Sequence, residues 1–251
     1  SIRRRQRQMC IRDRILHRRK SQVLALPPKR RQQQPVVLTE AESLGFDHRV
    51  DLILEDYRRR AALGEVRFDA EPLVLLTALR RIAAEFKLPA AVQLLRELLN
   101  RGEAVVLFSG FIEPLVLLQQ RLGGELLIGS QRPPERQLAV DRFQKGDSDL
   151  LLATFGTGGL GFTLHRARHV VLLERPWTPG DVDQAEDRCH RLGMDGAGLT
   201  CHWLQLGPAD QLVDGLVASK AQQIEILLGP RRLKLARKSL PAMVRQCLQS
   251  A

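Results

Sequence analysis

The spacing of hydrophobic positions changes about a third of the way along the chain. Apolar residues first recur at helical intervals, weakly over 49–60 and more strongly over 71–86. Thr39, followed three residues later by Glu42, predicts a helix start, because this pair can form a capping box. The β-branched run Pro35–Leu38 predicts a short strand just before it. The stronger helical stripe consists of Leu73, Leu76, Leu79 and Ile82.

After Pro89 short apolar runs alternate with helical patterns, which predicts an α/β fold with a parallel sheet. Runs such as VVLF and LLLA are apolar at every position, as strands covered by helices on both faces must be. The predicted strands are Ala104–Phe108, Leu126–Ile128, Asp149–Thr154, His169–Leu173 and Leu199–Leu206. The predicted helices are 89–100, 113–122, 133–144, 181–192 and 208–228.

The formal net charge of +11 lies at the two ends of the chain. Residues 1–34 carry +11 and residues 230–251 carry +6, which leaves −6 on residues 35–229. The basic ends are explained equally well as solvated tails and as arms that touch phosphates. Within the first of them, Met9–Arg14 resembles translated sequencing-adaptor sequence, so residues 1–14 are not expected to belong to the fold.

Composition excludes several classes of protein. Apolar residues make up 44% and charged residues 27%, as in globular proteins. The longest apolar runs are too short to cross a bilayer, and no leader pattern opens the chain, so we expect a cytoplasmic protein, nucleoid-associated in a bacterium, with no membrane partner. We also expect no zinc site. Cys189-His190 and Cys201-His202 are poorly spaced for one, because neighbours on a strand point to opposite faces.

Two loops at the carboxyl ends of predicted strands carry the candidate chemistry, since function collects there in parallel sheets. The loop 155–161 is dense in glycine, which allows close approach to a phosphate or, equally, makes a tight turn. The loop 174–180 leads into a helix on which Gln184, Arg188 and Arg191 share one face by their spacing. Neighbouring guanidinium groups suit the stabilisation of a transferring γ-phosphoryl group, and a solvated helix side is the alternative.

These segments resemble motifs of the SWI/SNF-type helicase-like ATPases of superfamily 2. VVLFSGF is similar to motif IV, LLLATFGTGGLGFTL to motif V, and ERPWTPGDVD with QAEDRCHRLG to motif VI. Lys87-Leu88-Pro89 is nearest to the annealing-helicase branch and its bacterial relatives. Upstream, the segment 18–29, which ends in LPPK, resembles the one that closes the first lobe of these ATPases.

The resemblance implies the C-terminal RecA-like lobe of a DNA-dependent translocase that uses ATP with Mg²⁺ and acts on double-stranded or forked DNA. It implies that Arg188 and Arg191 are the catalytic arginine fingers. The implied nucleotide-binding residues are Gln184, Gly158, Gly159 and Gly161. The implied nucleic-acid contacts are Ser109, Gly110, Thr154, Gly156 and Thr157.

The predicted domain organisation follows from the same resemblance. The chain contains no Walker A loop, so the first RecA-like lobe is expected to lie outside it and the chain alone is expected not to hydrolyse ATP. The predicted segments are a basic N-terminal segment (1–34), a helical remnant or connector from the first lobe (35–86), the C-terminal lobe (87–229) and a basic tail (230–251). We expect residues 15–86 to be poorly supported without the first lobe.

Two other hypotheses remain. The chain could be a stand-alone nucleic-acid-binding module that kept the fold without catalysis. It could also be an unrelated α/β domain, in which case Arg188 and Arg191 should pair with acidic residues and point away from any cleft.

Overall fold

The computed structural model describes residues 24–65, 71–176, 178–194, 196–207 and 210–211. These residues form one six-stranded parallel sheet with helices on both faces. Residues 1–14, the tail 230–251 and most of the predicted helix 208–228 lie outside the described residues. Each helix of the described part is too short or too polar to span a lipid bilayer.

The sheet has the strand order β1-β6-β5-β2-β4-β3, and every neighbouring pair is parallel. The strands are β1 (Lys29–Pro35), β2 (Val105–Ser109), β3 (Glu125–Leu127), β4 (Leu150–Thr154), β5 (His169–Leu172) and β6 (Leu199–Gln205). The helices are α1 (Glu40–Ala62), α2 (Glu71–Phe86), α3 (Leu88–Asn100), α4 (Ile112–Leu122), α5 (Pro133–Lys145) and α6 (Pro179–Cys189). A 3₁₀ turn, Phe155–Leu160, follows β4 directly.

Alternate residues of the central strands fill two separate cores. In β2, Val106 and Phe108 pack with α5 and α6 on one face, while Val105 and Leu107 pack with α3 and α4 on the other. All five residues of β2 are buried. The prediction of a parallel sheet covered by helices on both faces is therefore confirmed. Its central strands are apolar at every position because both of their faces are buried.

The first strand differs from the prediction. It spans Lys29–Pro35 rather than Pro35–Leu38, and it pairs with β6 along its whole length. The residues from Lys29 onward, at the end of the LPPK segment, are therefore part of this sheet, and their assignment to the end of the first lobe stays a prediction. Hydrophobicity could not reveal β1, because it is an edge strand built mainly from exposed basic and glutamine side chains.

The segment that precedes β1 lies tightly against the loop before β6. The backbone amide of Leu199 donates to the Pro28 carbonyl at 2.9 Å. Gly198 has a positive φ of 87°, and a Cβ atom there would lie 2.3 Å from the same carbonyl oxygen. Only glycine allows both this backbone conformation and this close approach.

The two helices between β1 and α3 also have more support than expected. Glu42 accepts hydrogen bonds from the Thr39 amide (2.9 Å) and hydroxyl (2.8 Å), so the predicted capping box is confirmed. Phe46 of α1 packs edge-on against Phe86 of α2, with ring centroids 5.4 Å apart. Leu76 of α2 belongs to the core beneath the sheet. The expectation that residues up to 86 would lack support is wrong for β1 and α2.

Candidate functional site

A cleft of about 420 Å³ opens at the carboxyl ends of β2 and β4. This is the edge of the sheet where the sequence predicted function, and it brings together parts of α2, of the loops after β2 and β4, and of α6. The lining residues are Thr77, Arg80, Phe108, Gly110, Phe111, Phe155, Gly156, Pro176, Asp181, Gln184, Ala185 and Arg188.

One wall of the cleft is α6, whose start is fixed by Thr178. The Thr178 hydroxyl accepts from the Asp181 amide at 3.1 Å and donates to the Asp181 carboxylate at 2.6 Å, which caps the helix. Val182, Ala185 and Cys189 point into the core and hold the helix on the sheet. Gln184 and Arg188, one turn apart, are left facing the cleft.

The third predicted member of that face, Arg191, lies beyond the helix. The predicted helix continued to residue 192, whereas α6 ends at Cys189 because the Leu164 amide donates to the Arg188 carbonyl at 2.9 Å and the chain turns away at His190. The Arg191 guanidinium donates to the Asp187 carbonyl (3.1 Å) and to the Thr163 hydroxyl (2.9 Å). The prediction that Arg191 shares a helix face with Gln184 and Arg188 is therefore wrong. The catalytic role of Arg191 stays a prediction.

Arg188 is held loosely for a buried arginine. It is 8% exposed, and its one hydrogen bond is a long one, from Nη1 to the Phe162 carbonyl at 3.4 Å. Within the described part of the chain, its Nε has no hydrogen-bond partner and no carboxylate pairs with it. Burial and the neighbouring charge of Arg191 lower the pKa of Arg188. A desolvated guanidinium with unused donors favours an anionic ligand.

The glycine-rich loop is a 3₁₀ turn whose one threonine, Thr157, points inward. The Thr157 hydroxyl lies 2.7 Å from the Thr154 carbonyl oxygen and 2.9 Å from that of Leu127. Its hydrogen-bonding capacity is therefore used within the protein and stabilises the turn. Gly156 is exposed at the cleft, and Gly161 ends the turn with a positive φ of 75°. Gly158 and Gly159 lie between them. The nucleotide and nucleic-acid contacts of this loop stay predictions.

Ser109 and Gly110 are organised by a buried carboxylate that the sequence did not reveal, Glu174. It is fully buried, and its Oε1 accepts from the Ser109 hydroxyl at 2.9 Å and from the Gly110 amide. A Cβ atom at Gly110 would lie 3.2 Å from this oxygen. The Ser109 hydroxyl therefore faces the interior in this structure, and contact of Ser109 and Gly110 with nucleic acid stays a prediction.

Glu174 belongs to a group of buried charges beneath the cleft. Burial raises the pKa of Glu174, against the Gly110 hydrogen bond and the charges of Arg80 and Lys87. Lys87 is itself fully buried, forms an ion pair with Asp210 and donates to the Leu173 carbonyl at 2.9 Å. Arg80 donates to the Arg175 carbonyl. In the sequence, the one indication of these buried charges is that Lys87 directly follows the apolar helical stripe of 71–86.

Cys189, Cys201 and the histidines that follow them have separate surroundings. Both thiols are buried in the core, which raises their pKa. His190 donates from Nε2 to the Pro27 carbonyl at 2.8 Å, and His202 contacts Gln34 and His169. No group of three or more His, Cys, Asp or Glu residues that could hold a metal ion occurs among the described residues.

Comparison with known proteins finds a matching protein family and relatives of similar sequence. Residues 89–193 match the family model for the helicase conserved C-terminal domain. Chromodomain-helicase-DNA-binding protein 6 of Homo sapiens is 34% identical over 152 residues, which are 58% of this chain and 5% of that protein. The DNA annealing helicase and endonuclease ZRANB3 of Homo sapiens is 27% identical over 231 residues, which are 89% of this chain and 21% of that protein.

Two solved structures share the fold. The C-terminal part of the Fun30 ATPase domain superposes with a TM-score of 0.60 at 18% identity, covering 89% of this chain and 97% of that one. The Sulfolobus solfataricus SWI2/SNF2 ATPase core in complex with dsDNA gives a TM-score of 0.60 at 21% identity, covering 92% of this chain and 53% of that one.

The chain thus spans only 5% to 21% of the length of the curated relatives named above. The family match, both relatives and the fold nonetheless agree with the motifs in the sequence. Together these findings support a helicase conserved C-terminal domain at residues 89–193, in a chain that resembles the C-terminal RecA-like lobe of the SWI/SNF-type helicase-like ATPases of superfamily 2.

Proposed function

We propose that this lobe is the second half of a DNA-stimulated ATPase that closes on ATP held mainly by a first RecA-like lobe. The observation that carries the proposal is the Arg188 guanidinium, which lies in the cleft beside Gln184 with unused donors and, among the described residues, no carboxylate partner. That arrangement suits a ligand that brings its own negative charge.

Phosphoryl transfer asks little of a second lobe beyond charge and position. Negative charge spreads over the oxygens of the γ-phosphoryl group in the transition state, and an arginine that meets it is worth roughly 10³ to 10⁵ in rate. Arg188 supplies the charge from a partly desolvated position, where each interaction is stronger than in water. Gln184, one turn earlier, orients the phosphate chain, and Arg191 adds positive potential from nearby.

The residues of the cleft fit a phosphate group but not its magnesium ion. The Arg188 Nε is a buried donor without a partner in the described part of the chain, and a Cβ atom at Gly156 would meet no atom within 4 Å, which leaves room for close approach. Asp181, the one carboxylate that lines the cleft among the described residues, is already hydrogen-bonded to Thr178. We therefore assign Mg²⁺ and most of the nucleotide contacts to the first lobe.

Double-stranded or forked DNA is the proposed partner. One relative is named as a DNA annealing helicase, another as a DNA-binding helicase, and one structure of the same fold was solved with dsDNA. In this chain the exposed turn at Gly156 and Gly161 offers backbone amides, which suit contact with a phosphate backbone. Thr154, Thr157, Ser109 and Gly110 would support that surface from within.

The test compares the chain alone with a protein in which a first lobe precedes it. Because ATP must be held between two lobes and no Walker A loop occurs in the sequence, we expect the chain alone to hydrolyse ATP no faster than buffer. The two-lobe protein should turn over ATP in a DNA-stimulated manner. Robust turnover by the chain alone would refute the division of labour. DNA binding without turnover in the two-lobe protein would favour the stand-alone binding module.

A further inference from the structure

The two faces of α6 have opposite surroundings. Two residues along a helix correspond to a rotation of a little more than half a turn, so Glu186 lies nearly opposite Gln184 and Arg188. Those two line the cleft, whereas Glu186 is fully buried against β1. The cleft-facing side of α6 is therefore backed by a separate set of contacts.

Those contacts form a charged clamp, which we define as Lys29, Arg31 and Glu186. Lys29 Nζ lies 2.9 Å from Glu186 Oε2, and Arg31 reaches the same carboxylate with its Nη2 at 2.6 Å. The Arg31 Nε adds hydrogen bonds of 3.0 and 3.1 Å. Arg31 also bridges to Asp183 at 2.7 Å. Although burial opposes it, Glu186 raises the pKa of Arg31.

A further contact fastens the end of the helix to the same part of the chain. His190, which directly follows α6, donates from its Nε2 to the Pro27 carbonyl at 2.8 Å, two residues before β1 begins. The last two turns of α6 are thus attached along their back to residues 27–31. Among the described residues Arg188 has only its long bond to Phe162, so its place in the cleft depends on where the helix backbone lies.

We propose that the clamp, with Glu186 at its centre, positions Arg188 for the transferring phosphate. Glu186, Lys29 and Arg31 are positioning residues that touch neither nucleotide nor DNA and act through the helix that carries the arginine. This inference rests on the proposed function of Arg188. It adds that β1, at the edge of the sheet, sets the catalytic geometry from behind.

The test uses Glu186→Gln in the two-lobe protein. Misplacement of a catalytic group by about 1 Å can cost roughly 10²-fold in rate, so we expect a loss of kcat approaching that size with little change in KM for ATP or in DNA affinity. Binding of ADP with aluminium fluoride, which imitates the transition state, should weaken, while binding of a non-hydrolysable ATP analogue should not. A residue that matters only for stability would not separate these two ligands.

Two further variants keep the proposal testable if Glu186→Gln does not fold. Arg31→Ala removes one arm of the clamp and leaves the Lys29 contact, so it should show the same split between kcat and KM with a smaller loss. Arg30→Ala alters a neighbouring exposed strand residue outside the clamp and serves as the matched control. An Arg31→Ala variant with unchanged kcat would overturn the proposal.

A double-mutant comparison tests the clamp separately from the proposed function of Arg188, on which the clamp proposal rests. If the clamp acts through Arg188, adding Glu186→Gln to Arg188→Ala should cost no further activity. If Arg188→Ala keeps full turnover, the proposed function itself fails. If Arg188→Ala lowers kcat as expected but Glu186→Gln does not, only the clamp is refuted. A further loss in the double variant, measured against the residual turnover of Arg188→Ala, would refute the clamp too.

Discussion

Two arginine-lined clefts lie at opposite edges of the same sheet, and they differ in how their arginines are held. The cleft at the amino ends of β2 and β5, about 580 Å³, is the larger of the two. Its Arg166 donates to the carbonyls of Phe143 and Ser148, both at 3.1 Å, pairs with Asp149 and covers the Phe143 ring. Arg188, at the other edge, has one long hydrogen bond. Unused donors, rather than cleft size, distinguish a site from a structural feature.

The largest effect should come from the loosely held arginine. In the two-lobe protein, Arg188→Ala should lower DNA-stimulated kcat by roughly 10³- to 10⁵-fold, because Arg80, the other arginine that lines the cleft, already donates to the Arg175 carbonyl. Steady-state ATP turnover at saturating DNA measures this, with DNA binding followed by fluorescence anisotropy. Arg166→Ala is the matched control and should keep the parental turnover. If Arg188→Ala and Arg166→Ala lose activity equally, the proposed difference between the two clefts is wrong.

The buried charges beneath the first cleft should dominate stability. Lys87→Met leaves Asp210 buried without its counter-charge, and loss of one partner from such a pair costs about 3–5 kcal/mol of unfolding free energy. Urea unfolding of the chain, followed by circular dichroism, measures the change. Lys145→Met, at an exposed position on α5, should leave the unfolding free energy nearly unchanged. A small effect at Lys87 would mean that Asp210 finds another partner or takes up a proton.

At the second cleft the same kind of substitution should affect folding alone. Arg166→Ala removes hydrogen bonds to two backbone carbonyls and a partly exposed ion pair, which together are worth about 1–3 kcal/mol. The same urea unfolding experiment detects this loss. Turnover that falls more than the folded fraction explains would show that the amino edge has a functional role after all.

The smallest effect concerns pH and the histidines near the second cleft. The His169 and His202 rings are stacked and lie 3.0 Å apart between Nδ1 and Nε2, and burial lowers the pKa of His202 to about 4 and also lowers that of His169. The unfolded chain takes up protons near the ordinary histidine pKa of about 6.5. Stability is therefore full above that pH and is lost as the pH falls toward 4.

His202→Gln should reduce this loss. The substitution removes the titrating ring with the more strongly lowered pKa, so the unfolding midpoint in urea should depend less on pH across that window than it does for the parent chain. Measurements at several pH values on both sides of the window decide the matter. An unchanged slope would assign the pH dependence to other groups.

Patterns that depend on local burial were predictable from the sequence. The five strands β2 to β6 and helices α3 to α5 lie within a few residues of the predictions, because strands covered on both faces are apolar throughout. The cleft at the carboxyl edge, with Gln184 and Arg188 in it, followed from the motifs and from the rule that loops at that edge carry function.

The features that the sequence did not predict depend on contacts between distant residues. The polar edge strand β1 has no apolar period, and the amide that ends α6 comes from Leu164, outside the helix. The buried partners Glu174, Lys87 and Asp210 lie far apart in sequence. A charge looks exposed in a sequence unless its partner is known, so buried pairs are found only in the folded chain.

The position of β1 bears on how this lobe should be produced for experiments. A fragment trimmed to the matched domain, residues 89–193, would omit both β1 and β6 and would leave the apolar strand β5 at the edge of the sheet. Unpaired edges of that kind recruit other strands and cause aggregation. Expression boundaries should therefore begin ahead of Pro27 and continue past β6 to Asp210, even though sequence similarity to the family is strongest in between.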